Sequence, residues 1–289
     1  MASILTKLTP RATGKIAQVT ISRPAKLNAL NSALITALPQ TLSSLTTKNP
    51  DLLAVILTGA GPKAFVGGAD LAEMAALESP ASARAFITRV HGACDAVREC
   101  PIPVIARVNG FALGAGLELA ASCDLRVAKE GAVFGMPEVR VGIPSVVEAA
   151  LLPNLIGWGR TRQLLLLGEN INASDALRWG LVEKVVSDSE TELDEAVEEW
   201  VQALEKNGPL AVRRQKALMR RWEALSGVDE SVKEGVDAFG EAFAIKAGNG
   251  ETETEPGRMM GEFFRRKEMM AKEKASRKIL PGSRPESAT

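Results

Sequence analysis

The sequence predicts an α/β body followed by an all-helical C-terminal part, and three observations lead there. Strand-like and helix-like stretches alternate from about residue 16 to residue 186, the pattern of an α/β domain. Residues 52–57 are continuously apolar and stop at Gly59-Ala60-Gly61-Pro62, which suits a strand buried on both faces. From Glu190 onward only helical spacing is left.

In order, residues 16–22 alternate as a strand that Arg23-Pro24 ends. Residues 31–45 read as a helix behind an Asn or Ser cap. Asp70 is placed to cap a helix over residues 70–77. A second helix follows over residues 82–98, then a strand over residues 104–108. Residues 114–122 are a helix opening on small residues, and residues 125–127 and 133–134 are short strands. Helices are expected near residues 193–204, 210–225, 228–245 and 259–274, with a solvated loop over residues 248–256. The expected division is a body over residues 1–190, a helical region over residues 191–280 and a frayed tail over residues 281–289.

Composition narrows the function classes. The 289 residues carry 35 basic and 35 acidic side chains, so no broad electrostatic footprint for nucleic acid is expected. No apolar run is long enough to span a bilayer. Three cysteines, Cys94, Cys100 and Cys123, form no CxxC pair and read as packers in a reducing compartment. The single histidine, His91, argues against a histidine metal site or a Ser-His-Asp triad and reads as a packing or surface residue. Lys7, Arg11 and Lys15 precede the first apolar strand, and Asp51 is the first acid, a faint transit-peptide character in a segment too short to be one. The chain is expected to be soluble and intracellular, with the cytoplasm favoured over mitochondrion or peroxisome.

The chemistry is concentrated in two glycine-rich turns and two glutamates. Gly67-Gly68-Ala69-Asp70 and Gly114-Ala115-Gly116 each open a helix, where backbone N–H groups lack intrahelical partners and stabilise negative charge. Glu118 lies among Leu117, Leu119 and Ala120, and Glu138 follows Pro137. Two carboxyls brought together are a minimal kit for giving and taking protons. Each residue also has an ordinary reading: a tight turn, a first-turn glutamate, a loop glutamate.

The sequence resembles the enoyl-CoA hydratase/isomerase, or crotonase, family. The likeness rests on Arg23-Pro24-Ala25-Lys26-Leu27-Asn28-Ala29-Leu30, Ala64-Phe65-Val66-Gly67-Gly68-Ala69-Asp70-Leu71, Val108-Asn109-Gly110-Phe111-Ala112-Leu113-Gly114-Ala115-Gly116-Leu117-Glu118-Leu119 and Phe134-Gly135-Met136-Pro137-Glu138. It spans about residues 15–245 and, more loosely, the helix from Met259.

The resemblance implies a crotonase-like spiral of repeated β-β-α units, with C-terminal helices forming a trimerisation region. It implies an acyl-CoA hydratase/dehydratase working on a 2-enoyl-CoA, with an enoyl-CoA double-bond isomerase as the alternative and a weakly catalytic CoA-binding protein as a more distant one. By position, Ala69 and Ala115 would donate the oxyanion-hole N–H groups, and Glu118 and Glu138 occupy the places of the hydratases' catalytic glutamates. Many relatives keep only one of these glutamates, so keeping both favours hydration. Glu138 is expected to give the proton to Cα and Glu118 to activate water.

Lys26, Leu27, Val66 and Gly68 match positions that contact the CoA nucleotide. Asp70, Ser145 and Phe263 complete the expected substrate-binding set, and Arg266 matches a family lysine near the CoA phosphates. No metal or redox cofactor is implied, since CoA arrives with the substrate. Trimers, often paired into hexamers, are the implied assembly, and Phe239, Phe243, Phe263 and Phe264 are expected at a trimer interface or acyl pocket.

Gly142-Ile143-Pro144-Ser145-Val146-Val147-Glu148 departs from the family's longer glycine-rich stretch. Ser145 stands where a glycine is common. Ser145 and Glu148 fit an S-x-x-E capping box, which is preferred over a third catalytic carboxylate at Glu148. The departure leaves the acyl group open.

Overall fold

Long and short strands alternate along the chain and sort into two sheets. The computed structural model describes residues 2–225 and, beyond them, residues 232, 235–236, 258, 261–262, 265–266 and 268–272. Its strands are β1 (Ser3–Arg11), β2 (Gly14–Ser22), β3 (Leu52–Gly59), β4 (Ala64–Val66), β5 (Val104–Val108), β6 (Phe111–Leu113), β7 (Leu125–Lys129), β8 (Val133–Gly135), β9 (Asn170–Asn172) and β10 (Lys184–Val186). Its α-helices are α1 (Ser32–Lys48), α2 (Leu71–Ala75), α3 (Pro80–Arg98), α4 (Ala115–Ala121), α5 (Leu152–Leu167), α6 (Ala173–Trp179), α7 (Glu190–Glu205) and α8 (Pro209–Ala224).

The larger sheet has the order β1-β2-β3-β5-β7-β10 and the smaller one β4-β6-β8-β9. Neighbours are parallel except in the pairs β1–β2 and β8–β9. Each pass lays one strand in the larger sheet, the next in the smaller, then returns by a helix: β3–β4–α2/α3, then β5–β6–α4. After β7–β8 the return begins with a 3₁₀ turn, Pro137–Val141. These are the repeated β-β-α units expected of the fold.

The larger sheet is covered on both faces. Leu34, Leu38, Phe86 and Val90 from α1 and α3 join the main core. On the other face Ile16, Leu53, Ile105 and Val127 meet Leu193, Val197 and Val201 of α7. That explains the unbroken apolar run in β3, all but one of whose residues are buried. The caps follow the local sequence: Asn31 accepts from Leu34 N–H at 3.1 Å, and Asp70 accepts from Ala72 and Glu73 N–H at 2.8 and 3.1 Å.

One expectation fails at the start of the chain. The residues read as a basic lead-in form β1, paired with β2 from Ser3 to Arg11. Its apolar side chains Leu5 and Leu8 are exposed, so no buried face marks it in the sequence, and Pro10 is tolerated because the strand lies at a sheet edge. Arg11 ties the hairpin to α7 through Glu198 at 2.5 Å and Glu205 at 2.8 Å.

The chain divides into two compact units, Met1–Arg220 and Arg221–Thr289. Phe239, Phe243, Phe263, Phe264, the loop over residues 248–256 and the tail lie outside the described residues. No helix among the described residues is long and apolar enough to cross a membrane.

Candidate active site

Because β4, β6 and β8 run parallel and side by side, their C-terminal ends lie along one edge of the smaller sheet. Ligand sites of parallel sheets gather at such ends, where loops and helix starts converge. Gly67-Gly68-Ala69-Asp70 follows β4, Gly114 and α4 follow β6, and Pro137-Glu138 follows β8. Segments up to 71 residues apart in sequence therefore meet at one place (138 − 67 = 71).

Two backbone N–H groups face outward there. Leu30 N–H donates to Gly68 O, and Asp70 N–H donates to Leu30 O, both at 2.8 Å. In this parallel bridge Ala69, between them, turns its own N–H away from Leu30. Ala115 is the first residue of α4, so its N–H has no intrahelical acceptor. Among the described non-glycine residues, φ is positive at Leu27, Asn28 and Val147 alone, so alanine is unstrained at both donor positions.

Glycines set the spacing around these donors. A Cβ on Gly116 would lie 2.0 Å from Val66 O, so only glycine lets α4 begin this close to β4. Gly114 has φ +51, and a Cβ on it would lie 2.3 Å from Glu138 Oε1. The Glu138 carboxyl thus rests against the backbone at the start of the helix that carries Glu118.

The two carboxyls sit in different surroundings. Glu118 is 4% exposed and accepts from Ala149 N–H through Oε1 at 3.2 Å. Burial, and then the charges of Glu138 and Glu148, push its pKa from an ordinary 4.5 up to about 8, against the Ala149 hydrogen bond. Glu138 is half-buried, and the Ser145 hydroxyl donates to its Oε2 at 2.9 Å. Burial thus favours the protonated form of Glu118, beside the Glu138 carboxyl.

The Ser145-Glu148 capping box does not form. Residues Val147–Leu151 are a 3₁₀ turn capped by Val146 without a side-chain hydrogen bond. Ser145 turns to Glu138 instead, and Glu148, 3% exposed, is hydrogen-bonded to His91 Nδ1 at 2.7 Å. A chain that breaks into short turns offers no regular N3 position for a box. Sequence spacing also gave no sign of the Ala149 N–H on Glu118, since a backbone donor has no side-chain signature.

The residues expected at the CoA-binding side are partly assembled. Gly67 N–H donates to Leu27 O at 2.8 Å, joining the turn after β4 to the segment that carries Lys26 and Leu27, both exposed. Leu27 and Asn28 adopt φ of 51 and 57, and buried Asn28 donates to Ala60 O and Ala64 O at 3.0 and 2.8 Å. Gly68 is buried at the turn, and the Val66 side chain is wholly buried in the core. Asp70 caps α2 and pairs with Arg23, whose guanidinium holds the carboxyl below its usual range. Arg23 lies 47 residues before Asp70 in the chain, so sequence spacing gives no sign of this pairing. Phe263 lies outside the described residues, and Arg266, exposed, belongs to the second unit, 3.6 Å from Glu262. Among the described residues no group of three or more His, Cys, Asp or Glu is placed to hold a metal ion.

A parallel-strand edge where two glycine-rich turns and two neighbouring carboxyls gather has the make-up of an enzyme site. Comparison with known proteins makes the class of enzyme specific. Residues 11–246 match the family described as enoyl-CoA hydratase/isomerase, and the chain belongs to that family. It is 41% identical to the short-chain-enoyl-CoA hydratase of Clostridium acetobutylicum, over 81% of this chain and 88% of that protein. It is 33% identical to a peroxisomal Delta(3,5)-Delta(2,4)-dienoyl-CoA isomerase of Arabidopsis thaliana, over 75% of this chain and 80% of that protein. Among solved structures it superposes on an enoyl-CoA hydratase from Bacillus anthracis with a TM-score of 0.76 and 33% identity, covering 84% of this chain and 92% of that one.

Proposed function

We propose that this enzyme adds water across the double bond of a 2-enoyl-CoA, or removes it in reverse. The observation that carries the reading is the pair Glu118 and Glu138, brought together beside two helix starts, with the Ala149 N–H and the Ser145 hydroxyl on their carboxyls. The thioester oxygen would sit between the Ala69 and Ala115 N–H groups. As water adds at Cβ, negative charge moves onto that oxygen, and one such donor lowers the barrier by about 3 kcal/mol. Glu118 takes the proton from water, and Glu138 gives one to Cα. Burial and the neighbouring charges raise the Glu118 carboxyl to about 8, so this division of labour requires the pair's proton to stand on Glu138 when water adds. Lys26, Leu27 and Gly68 would meet the CoA portion.

The relatives named for short-chain and crotonyl substrates support a short 2-enoyl chain as the first thioester to try. A double-bond isomerase is the second reading, favoured by the dienoyl-CoA isomerase likeness; it needs a carboxyl that shuttles a proton between carbons. Assembly as trimers or hexamers follows from the resemblance, and a solution mass of one 30.7 kDa chain would contradict it. Three buried free cysteines suit a reducing compartment such as the cytoplasm.

Incubation with 2-enoyl-CoA thioesters of increasing length in ¹⁸O-labelled water tests the reading. Hydration puts one labelled oxygen into the product; a shifted double bond without label would establish the isomerase instead.

A further inference from the structure

His91 and Glu148 take no part in the chemistry described, yet they stand directly behind Glu118. Glu148 is 3% exposed, and one of its oxygens, Oε1, meets His91 Nδ1 at 2.7 Å. The other, Oε2, is buried without a hydrogen-bond partner. A buried carboxyl with half its acceptors unmet is costly and calls for a function. The next residue in the chain, Ala149, shares its N–H between Val146 O at 3.0 Å and Glu118 Oε1 at 3.2 Å. Val147, which precedes Glu148, is β-branched and held at φ 43, a conformation that the surrounding structure has to impose. His91 belongs to α3, and its side chain is 48% exposed, so it links this buried turn to solvent.

Resting on the hydration reading, we propose that His91 and Glu148 are a positioning dyad for Glu118: His91 anchors Glu148, Glu148 fixes the Val147–Leu151 turn, and the turn's Ala149 N–H sets the place of the Glu118 carboxyl. The titratable groups facing Glu148 and Glu118 come from each neighbouring element: His91 and Cys94 from α3, Glu118 from α4, and Glu138 from the turn after β8. Burial and the charges of Glu148 and Glu118 push the Cys94 thiol up, so it stays neutral. His91 is thus the hydrogen-bond partner of Glu148 at the edge of a cluster of three carboxyls.

Glu148 is one of the groups that raise Glu118, so removing its charge lets Glu118 lose its proton at lower pH. The test compares Glu148→Gln, His91→Ala, His91→Gln and the double variant Glu148→Gln/His91→Ala with the parent enzyme. It reads kcat and KM against pH on a 2-enoyl-CoA, and the Glu118 carboxyl titration by isotope-edited infrared spectroscopy. In Glu148→Gln the alkaline limb of kcat and the Glu118 titration both move to lower pH. His91→Ala lowers kcat about tenfold with little change in KM, and His91→Gln, which keeps a hydrogen-bond donor, recovers most of it. The double variant is no worse than its worse single, because both act through one path.

Parental kcat, limb and titration in both Glu148→Gln and His91→Ala would overturn the dyad, as would losses that multiply in the double variant. If the parent enzyme hydrates none of the thioesters, the hydration reading fails, while the Glu118 titration in Glu148→Gln still decides the dyad.

Discussion

The two sheets are built from the same passes of chain and do different work. In the larger sheet β2 and β3 are nine and eight residues long, and both faces of the sheet are covered. In the smaller sheet all four strands are three residues long. A three-residue strand contributes little burial, but it brings the next turn to the sheet edge at once. The larger sheet supplies the stability that allows the smaller one to spend its residues on glycines, helix starts and a buried acid. The lesson is that the site is a property of where short parallel strands stop.

This contrast can be broken by substitution, beginning with the largest effect. Glu118→Gln and Glu138→Gln are each expected to lower kcat by about 10²–10⁴-fold, measured in steady state on the same thioester. Glu118→Gln should also change stability in the opposite sense. The folded state holds the Glu118 proton up to about 8 against an ordinary 4.5, so stability is full below the lower value and falls as pH rises through the higher one. Denaturant unfolding at pH 9 should therefore find the glutamine variant more stable than the parent.

Ala115→Pro comes next. Proline is tolerated at the first position of a helix, yet it deletes the N–H. A loss of about 10²–10³-fold in kcat with an unchanged melting temperature is expected. Leu57→Ala probes the other sheet. It should cost about 2–5 kcal/mol of stability in urea unfolding while leaving kcat per folded molecule near that of the parent. Ser145→Ala is the smallest change. Losing its hydrogen bond to Glu138 is worth about 1 kcal/mol, a few-fold in kcat.

The same contrast explains what could be read from the sequence. A buried strand such as β3 has an apolar signature, and α1, α3 and α7 have helical periodicity and side-chain caps. The turns at Gly67–Asp70 and Gly114–Glu118 were legible because glycine and a capping aspartate have local reasons to stand where they do. β6 and β9 are too short for any period to show, and β1 is exposed, so its alternation follows no burial. Glu118 and Glu138 stand out in the sequence by their turns, whereas the groups that hold their carboxyls do not. Ser145 and Glu148 fit a local capping pattern that long-range contacts with Glu138 and His91 outcompete. Ala149 acts through a backbone N–H that any residue except proline would supply.

The ends of β4, β6 and β8 bring Glu118 and Glu138 together, where burial and the Glu138 charge raise the Glu118 carboxyl to about 8. The most direct measurement is the Glu118 titration, followed by isotope-edited infrared spectroscopy of the carboxyl band in the parent and in Glu138→Gln. A midpoint near 8 is expected in the parent, moving to lower pH when the Glu138 charge is removed. A midpoint in the ordinary glutamate range, unmoved by Glu138→Gln, would contradict it.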